Sequence, residues 1–373
     1  MASYETSFER ASTYRSRALK TLAYGVSSTP RGTQLPAPIV AARAEGAHIW
    51  DIAGNRFVDF SVGYGPMILG HSPACVIDAV KVQLDLGLRT ASVHEGEATL
   101  AELICDTLPC AEKCAFVSSG SEAVHLALRI ARAKTGHQRV IKFRGNYHGW
   151  LDSVHAANSV SNDGPSTVGQ DLGALTSLTI LDWGDLEGLK TVLTDEFAAV
   201  ILEPIAVKGG CFMPPDGFLQ GVRALTASLG VMLIFDEVIT GYRLSLGGAQ
   251  QLIGVTPDLA VIGKAMGAGF AIGAVAGSTE AMDPIRSGRA SPSGHVQRQS
   301  DIGRRVGRLH FAFGKACGHN LSPYQWPCRL PSGTYPQDSS QARRDLRREL
   351  HWLRPANRTG HVGNDHAGRH CQR

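Results

Sequence analysis

No apolar run in the 373 residues approaches the roughly 18–20 needed to cross a bilayer. The longest buried-looking runs, such as Val231–Phe235, end in charged residues. The start, Met1-Ala2-Ser3-Tyr4-Glu5, has no basic segment followed by an apolar stretch, so no signal peptide is expected. Eight cysteines are scattered along the chain, and the nearest pair, Cys110 and Cys114, has no second Cys or His pair beside it. That spacing excludes a zinc motif, and no metal is expected. Scattered cysteines without a signal fit a reduced, cytoplasmic protein. Neither G-x-x-x-x-G-K-[ST] nor G-x-G-x-x-G occurs, which removes the common phosphate loops of nucleotide-binding proteins.

A net charge of +4 invites a nucleic-acid reading. From His295 onward, however, 14 Lys+Arg stand against 5 Asp+Glu, leaving the remainder at −5. The basic character belongs to the tail, so neither a nucleic-acid nor a membrane partner is expected for the body. With 43% hydrophobic residues the body can bury a large core.

The expected organisation has three parts: an N-terminal arm and small sheet over 1–62, a large domain over 63–294, and an aberrant basic tail over 295–373. Two short alternating runs, His48–Ile52 and Phe57–Phe60, flank Ala53-Gly54-Asn55-Arg56, which holds the Gly and Asn of a tight turn. Helical patterns cover about 73–87 and 95–108. From residue 114 strands and helices alternate. Strands are expected at Cys114–Val117, Arg139–Phe143, Ser177–Leu181, Ala198–Leu202, Val231–Phe235, Leu259–Ile262 and Ala271–Ala276. Helices are expected at about 121–134, 185–194, 217–229 and 248–253. Continuous apolar strands between helices specify an α/β fold, a mainly parallel seven-stranded sheet with helices on both faces. Ligands of such sheets sit at the carboxyl ends of the strands.

Four segments put chemistry there. Ser118-Ser119-Gly120-Ser121-Glu122 turns from a strand into a helix, a place for an anion or for a plain N-cap with Glu122 in the first turn. Gly145-Asn146-Tyr147-His148-Gly149-Trp150 could offer an aromatic face to a planar ring, or pack on the core. Glu203 and Asp236 each follow a buried strand, where an unpaired carboxylate costs several kcal/mol, so each needs a partner. Lys264 follows a fourth strand in the glycine-rich turn Gly263–Gly269. It reads either as a surface lysine or as one dry enough to lose its proton and form a Schiff base.

Taken in order, Ser119-Gly120-Ser121, Tyr147-His148-Gly149, Glu203-Pro204, Asp236-Glu237-Val238 and Gly263-Lys264 resemble the class III aminotransferases of fold type I. The resemblance covers about residues 8–294. Within the class the chain is similar to the glutamate-1-semialdehyde 2,1-aminomutases, through Gly25-Val26-Ser27-Ser28 with Arg31, Gly65–His71 and Ile141-Lys142-Phe143. The resemblance implies pyridoxal 5′-phosphate as cofactor, a homodimer, and amino-group transfer, either isomerisation to 5-aminolevulinate or transamination of another amino acid or amine. It assigns Lys264 as the catalytic, cofactor-anchoring base. It gives Asp236 the pyridine nitrogen, Ser119, Gly120 and Ser121 the phosphate, and Tyr147 and Val238 the two ring faces. His148 and Glu203 complete the cofactor pocket. Arg31 and Tyr64 are placed beside the substrate, Arg31 on a carboxylate.

Several positions depart from the family pattern. Ser118 stands where Asn is frequent, Ser121 for Thr, Tyr64 for Trp, and Ala271 for Pro; Ala206-Val207-Lys208-Gly209 replaces a small Ala-Gly-Asn segment. After Ser291-Pro292-Ser293-Gly294 the pattern stops. A one-base shift turns codons for His295–Ile302 into T-F-N-G-N-P-I, the continuation the family implies. We therefore expect a change of reading frame between Ser293 and His295, the small C-terminal domain replaced by an unrelated, disordered tail, and little activity in this chain. The family's Thr in that motif reaches the phosphate of the neighbouring subunit. An inactive remnant is the alternative these features leave open.

Overall fold

A computed structural model describes residues 2–34, 38–87, 92, 93, 95–162 and 164–292. The expected reading-frame change and the tail fall outside them. The described residues all lie in one compact unit.

The chain opens with the helix Ala2–Ala18. A three-stranded antiparallel sheet follows, in the order β1 (Ala41–Glu45), β2 (His48–Asp51), β3 (Arg56–Val58). The β2–β3 hairpin closes through Asp51, whose carboxylate accepts from the backbone N–H of Ala53 and Asn55 at 2.9 Å each. The strand β1 lies inside the expected small sheet, although Ala-Ala-Arg-Ala-Glu is poor in β-branched and aromatic residues and has no alternating run. Its pairing to β2 brings it into the sheet.

The large sheet has seven strands: β4 (Lys113–Val117), β5 (Arg139–Phe143), β6 (Leu178–Leu181), β7 (Phe197–Leu202), β8 (Met232–Glu237), β9 (Leu259–Ile262) and β10 (Gly273–Gly277). Their spatial order is β4-β10-β9-β8-β7-β5-β6. Only β10 runs against its neighbours, pairing antiparallel with both β4 and β9. The other six strands therefore point one way, and their carboxyl ends share one edge. All seven expected strands are present within one or two residues.

Strands β7 to β10 are buried along their whole length, which explains their unbroken apolar sequences. The helix Gly120–Thr135 packs its Ala123, Ala127, Ile130 and Ala131 side on one face of the sheet, against Ile201, Ile234 and Val261. On the other side, Leu100 and Ile104 of the helix Glu95–Thr107 meet Phe116, Ile262 and Ala274. Phe143, Trp183 and Phe218 form a cluster of edge-to-face rings 5.3–5.8 Å apart beside β5. Among the described residues no helix is long and apolar enough to cross a membrane.

Candidate functional site

Five strands deliver polar groups to the shared edge. At the end of β8, alternation separates two neighbours. Glu237 turns to the helix Gly248–Ile253, where its carboxylate accepts from the N–H groups of Ala249 and Gln250 at 2.5 and 3.2 Å, from Gln250 Nε2 at 3.0 Å and from Thr240 Oγ1 at 2.9 Å. Asp236 turns to the site. One carboxylate oxygen meets His148 Nδ1 at 2.8 Å, and the other accepts from the N–H of Val238 at 3.1 Å. Both side chains are buried, His148 completely. Burial holds the imidazole below its usual pKa, opposed by the hydrogen bond and charge of Asp236. Its Nε2 is buried and has no hydrogen-bond partner among the described residues.

After β7, Glu203 is buried and accepts three backbone N–H groups: Tyr147 at 2.7 Å, Val207 at 2.9 Å and Lys208 at 3.2 Å. Burial, then the charge of Asp236, pushes its carboxyl up to about 7. Glu203 thus anchors the backbone of the Tyr147 loop. Asn146 ties the same loop back by accepting the N–H of Glu203 at 2.8 Å. The Tyr147 ring stays partly exposed and meets His155 edge-on at 6.2 Å. Burial and Asp236 raise the pKa of its phenol.

After β4, Ser119 caps the helix Gly120–Thr135. Its hydroxyl accepts from the N–H of Glu122 at 3.2 Å, and Glu122 in turn accepts from the N–H of Ser118, the residue before the cap, at 2.7 Å. The plain N-cap and the anion site coexist. The cap engages Ser119, while the N–H groups of Gly120 and Ser121 and the Ser121 hydroxyl have no hydrogen-bond partner among the described residues. Two close approaches assemble the surroundings. A Cβ on Gly120 would lie 3.0 Å from a Val238 methyl, and one on Gly149 would lie 2.5 Å from Ser121 Oγ. The turn, the Tyr147 loop and Val238 therefore meet.

Lys264 follows β9 with φ +38°, a left-handed conformation that a non-glycine residue adopts at a cost of about 1–3 kcal/mol. Burial lowers its pKa, the carboxylates of Asp236 and Glu203 raise it, and the cations Arg243 and Lys208 lower it again. The loop carrying Tyr64 reaches this lysine: a Cβ on Gly65 would lie 3.6 Å from Lys264 Cδ and 3.4 Å from Arg243 Nη2. Tyr64 is half exposed and also left-handed, at φ +65°. Arg31 is exposed on the short helix Thr29–Gly32, and its side chain makes no hydrogen bond or ion pair with a described residue. Lys264, Asp236, His148, Glu203, Tyr147, Val238 and Ser119–Ser121 are thus gathered, Tyr64 is adjacent, and Arg31 is not joined to them.

Two further residues belong here. Arg243 donates to the carbonyls of Gly65 and, at 3.1 Å, of Ile239. Lys142 lies wholly buried inside β5 beneath the Tyr147 loop. A lysine between Ile141 and Phe143 is a charge inside an apolar run, the one signal that could have singled it out.

These donors and acceptors fit pyridoxal 5′-phosphate. Free N–H groups at a helix start suit a phosphate, and a buried carboxylate suits a protonated ring nitrogen. Glycines leave room for a flat ring, and a partly desolvated lysine faces them.

Comparison with known proteins agrees. A glutamate-1-semialdehyde 2,1-aminomutase of Methanococcus maripaludis strain C5 is 40% identical over 283 residues, covering 74% of this chain and 65% of that protein. One from Desulforudis audaxviator is 41% identical over 271 residues, covering 71% and 62%. The chain therefore spans just under two thirds of these relatives' length. Among solved structures, an omega-transaminase from Sphaerobacter thermophilus matches with a TM-score of 0.75 at 35% identity, covering 80% of this chain and 72% of that one. A transaminase with PLP bound matches with a TM-score of 0.77 at 28% identity, covering 82% and 73%. The class III aminotransferase model matches residues 29–295. On that match and those identities, the chain belongs to the class III aminotransferase family.

Proposed function

We propose that this chain binds pyridoxal 5′-phosphate and carries amino-group chemistry of the glutamate-1-semialdehyde 2,1-aminomutase type. The observation that carries the reading is the buried Asp236–His148 pair at the same strand edge as Lys264. When bound, the cofactor supplies an electron sink that acidifies the C–H bond beside a substrate amino group. The residues do the rest. Lys264 anchors the cofactor and, lowered in pKa by burial, takes and returns a proton at Nζ. Asp236, oriented by His148, holds a proton on the ring nitrogen. Gly120, Ser121 and the helix start hold the phosphate. Tyr147 and Val238 hold the two ring faces, and Tyr64 lies on the substrate side.

The relatives named as aminomutases favour isomerisation within one molecule. The omega-transaminase likeness, Tyr64 and the Val207-Lys208 segment favour a transaminase of another amino acid or amine. Incubation with glutamate-1-semialdehyde, against a panel of amino donors with a keto acceptor, separates the two. Product from the semialdehyde alone supports the first reading. Turnover only with a donor and an acceptor overturns it.

The reading extends to a cytoplasmic homodimer. The cysteines among the described residues are all free, which supports a reducing compartment. It also includes the change of frame near residue 294, which rests on the sequence from His295 onward. Sequencing the gene across codons 288–300 tests it. A base gained or lost relative to close relatives is expected, and an intact frame contradicts it.

A further inference from the structure

Four oxygens converge on the side-chain nitrogen of Lys142. They are the carbonyls of Asn146 at 3.0 Å, Val154 at 3.2 Å and Ala156 at 2.6 Å, and Asn158 Oδ1 at 3.0 Å. All four belong to the segment that leaves β5 and carries Tyr147 and His148. No carboxylate among the described residues lies within ion-pair distance of this nitrogen. The lysine is wholly buried, and Asn158 extends the set by donating to Ser166 Oγ at 2.8 Å.

A buried amine without a carboxylate is a costly choice, and an apolar side chain of similar volume would fill the space more cheaply. What it supplies instead is convergence. Three carbonyls spread over eleven residues need a donor inside the loop, because no strand or helix of their own satisfies them. The rigid strand β5 provides that donor from below.

We infer that Lys142 is a positioning residue, a clasp that folds segment 144–158 into the loop presenting Tyr147 and His148 to Asp236. It touches neither the cofactor nor the substrate in this role. The inference rests on the proposed cofactor reading only for the use of that loop; the clasp itself is independent of it.

Native-state hydrogen exchange on the full chain without cofactor tests the clasp, and a pyridoxal phosphate titration followed by absorbance tests its use. Lys142→Met keeps the volume and removes the donors. It is expected to speed exchange over 144–158 at least about tenfold, leave the helix Phe218–Leu229 unchanged, and weaken pyridoxal phosphate binding about tenfold or more. Wild-type exchange over 144–158 overturns the clasp. Should Lys142→Met unfold throughout, Asn158→Ala decides: about threefold faster exchange confined to 144–166 supports the clasp, and no change there overturns it. If the wild-type chain binds no pyridoxal phosphate, the functional reading fails while the exchange result still stands. If the wild type binds and Lys142→Met binds equally well, the clasp's role in the site is overturned.

Discussion

Asp236 and Glu237 are neighbours in the chain and face opposite ways, one to His148 and one to the start of a helix. That division assigns Asp236 to chemistry and Glu237 to architecture. Glu203 has a third role, binding the backbone of two loops through three N–H groups. Its folded-state carboxyl stands at about 7, above the ordinary value of 4.5. A raised carboxyl contributes stability that is complete below the unfolded pKa and is lost as pH rises through the folded one. Between about pH 4.5 and 7, therefore, Glu203 makes stability fall with rising pH, by up to roughly 3 kcal/mol. Glu203→Gln should flatten that slope in denaturant titrations across this window, and an unchanged slope would remove Glu203 as its source.

Loops at the ends of strands make the site, and their meeting depends on missing side chains. Gly149 is left-handed, at φ +89°, and lies against Ser121. Gly149→Ala should cost about 1–3 kcal/mol and weaken pyridoxal phosphate binding more than it lowers the unfolding midpoint. A variant that binds as the wild type would show that the two loops need not touch. At this scale the sequence was informative. All seven large-sheet strands could be read from apolar runs, and Glu203 and Asp236 from the charge that closes two of them. The strand β1 has no run of its own to mark it within the expected small sheet, since its Ala, Arg and Glu become strand through pairing with β2. Lys142 escaped as a functional residue because its partners are carbonyls, and backbone oxygens carry no sequence signal. Ser119 shows the converse: the sequence offered a cap or an anion site, and the geometry uses the residue as a cap beside free donors.

At the scale of the molecule, the described residues form a small antiparallel sheet and a seven-stranded α/β sheet, and the chain matches about two thirds of the length of its class III relatives. On the proposed reading, a small domain and a partner subunit would cover the site and exclude water. If the proposed change of frame is correct, a chain read in the other frame beyond residue 294 should bind pyridoxal phosphate at least about tenfold more tightly and elute as a dimer; equal affinity would place the whole cofactor pocket within residues 1–294. Arg31, exposed and without a side-chain partner among the described residues, would show its role there, as a raised KM for a carboxylate substrate in Arg31→Ala. Lys264 as the anchor of the cofactor can be tested by loading the purified protein with pyridoxal phosphate, reducing with borohydride and mapping the label by peptide mass spectrometry. One pyridoxyl group on the peptide bearing Lys264, absent from Lys264→Ala, is the predicted result. Label absent from that peptide, or unchanged in Lys264→Ala, would contradict it.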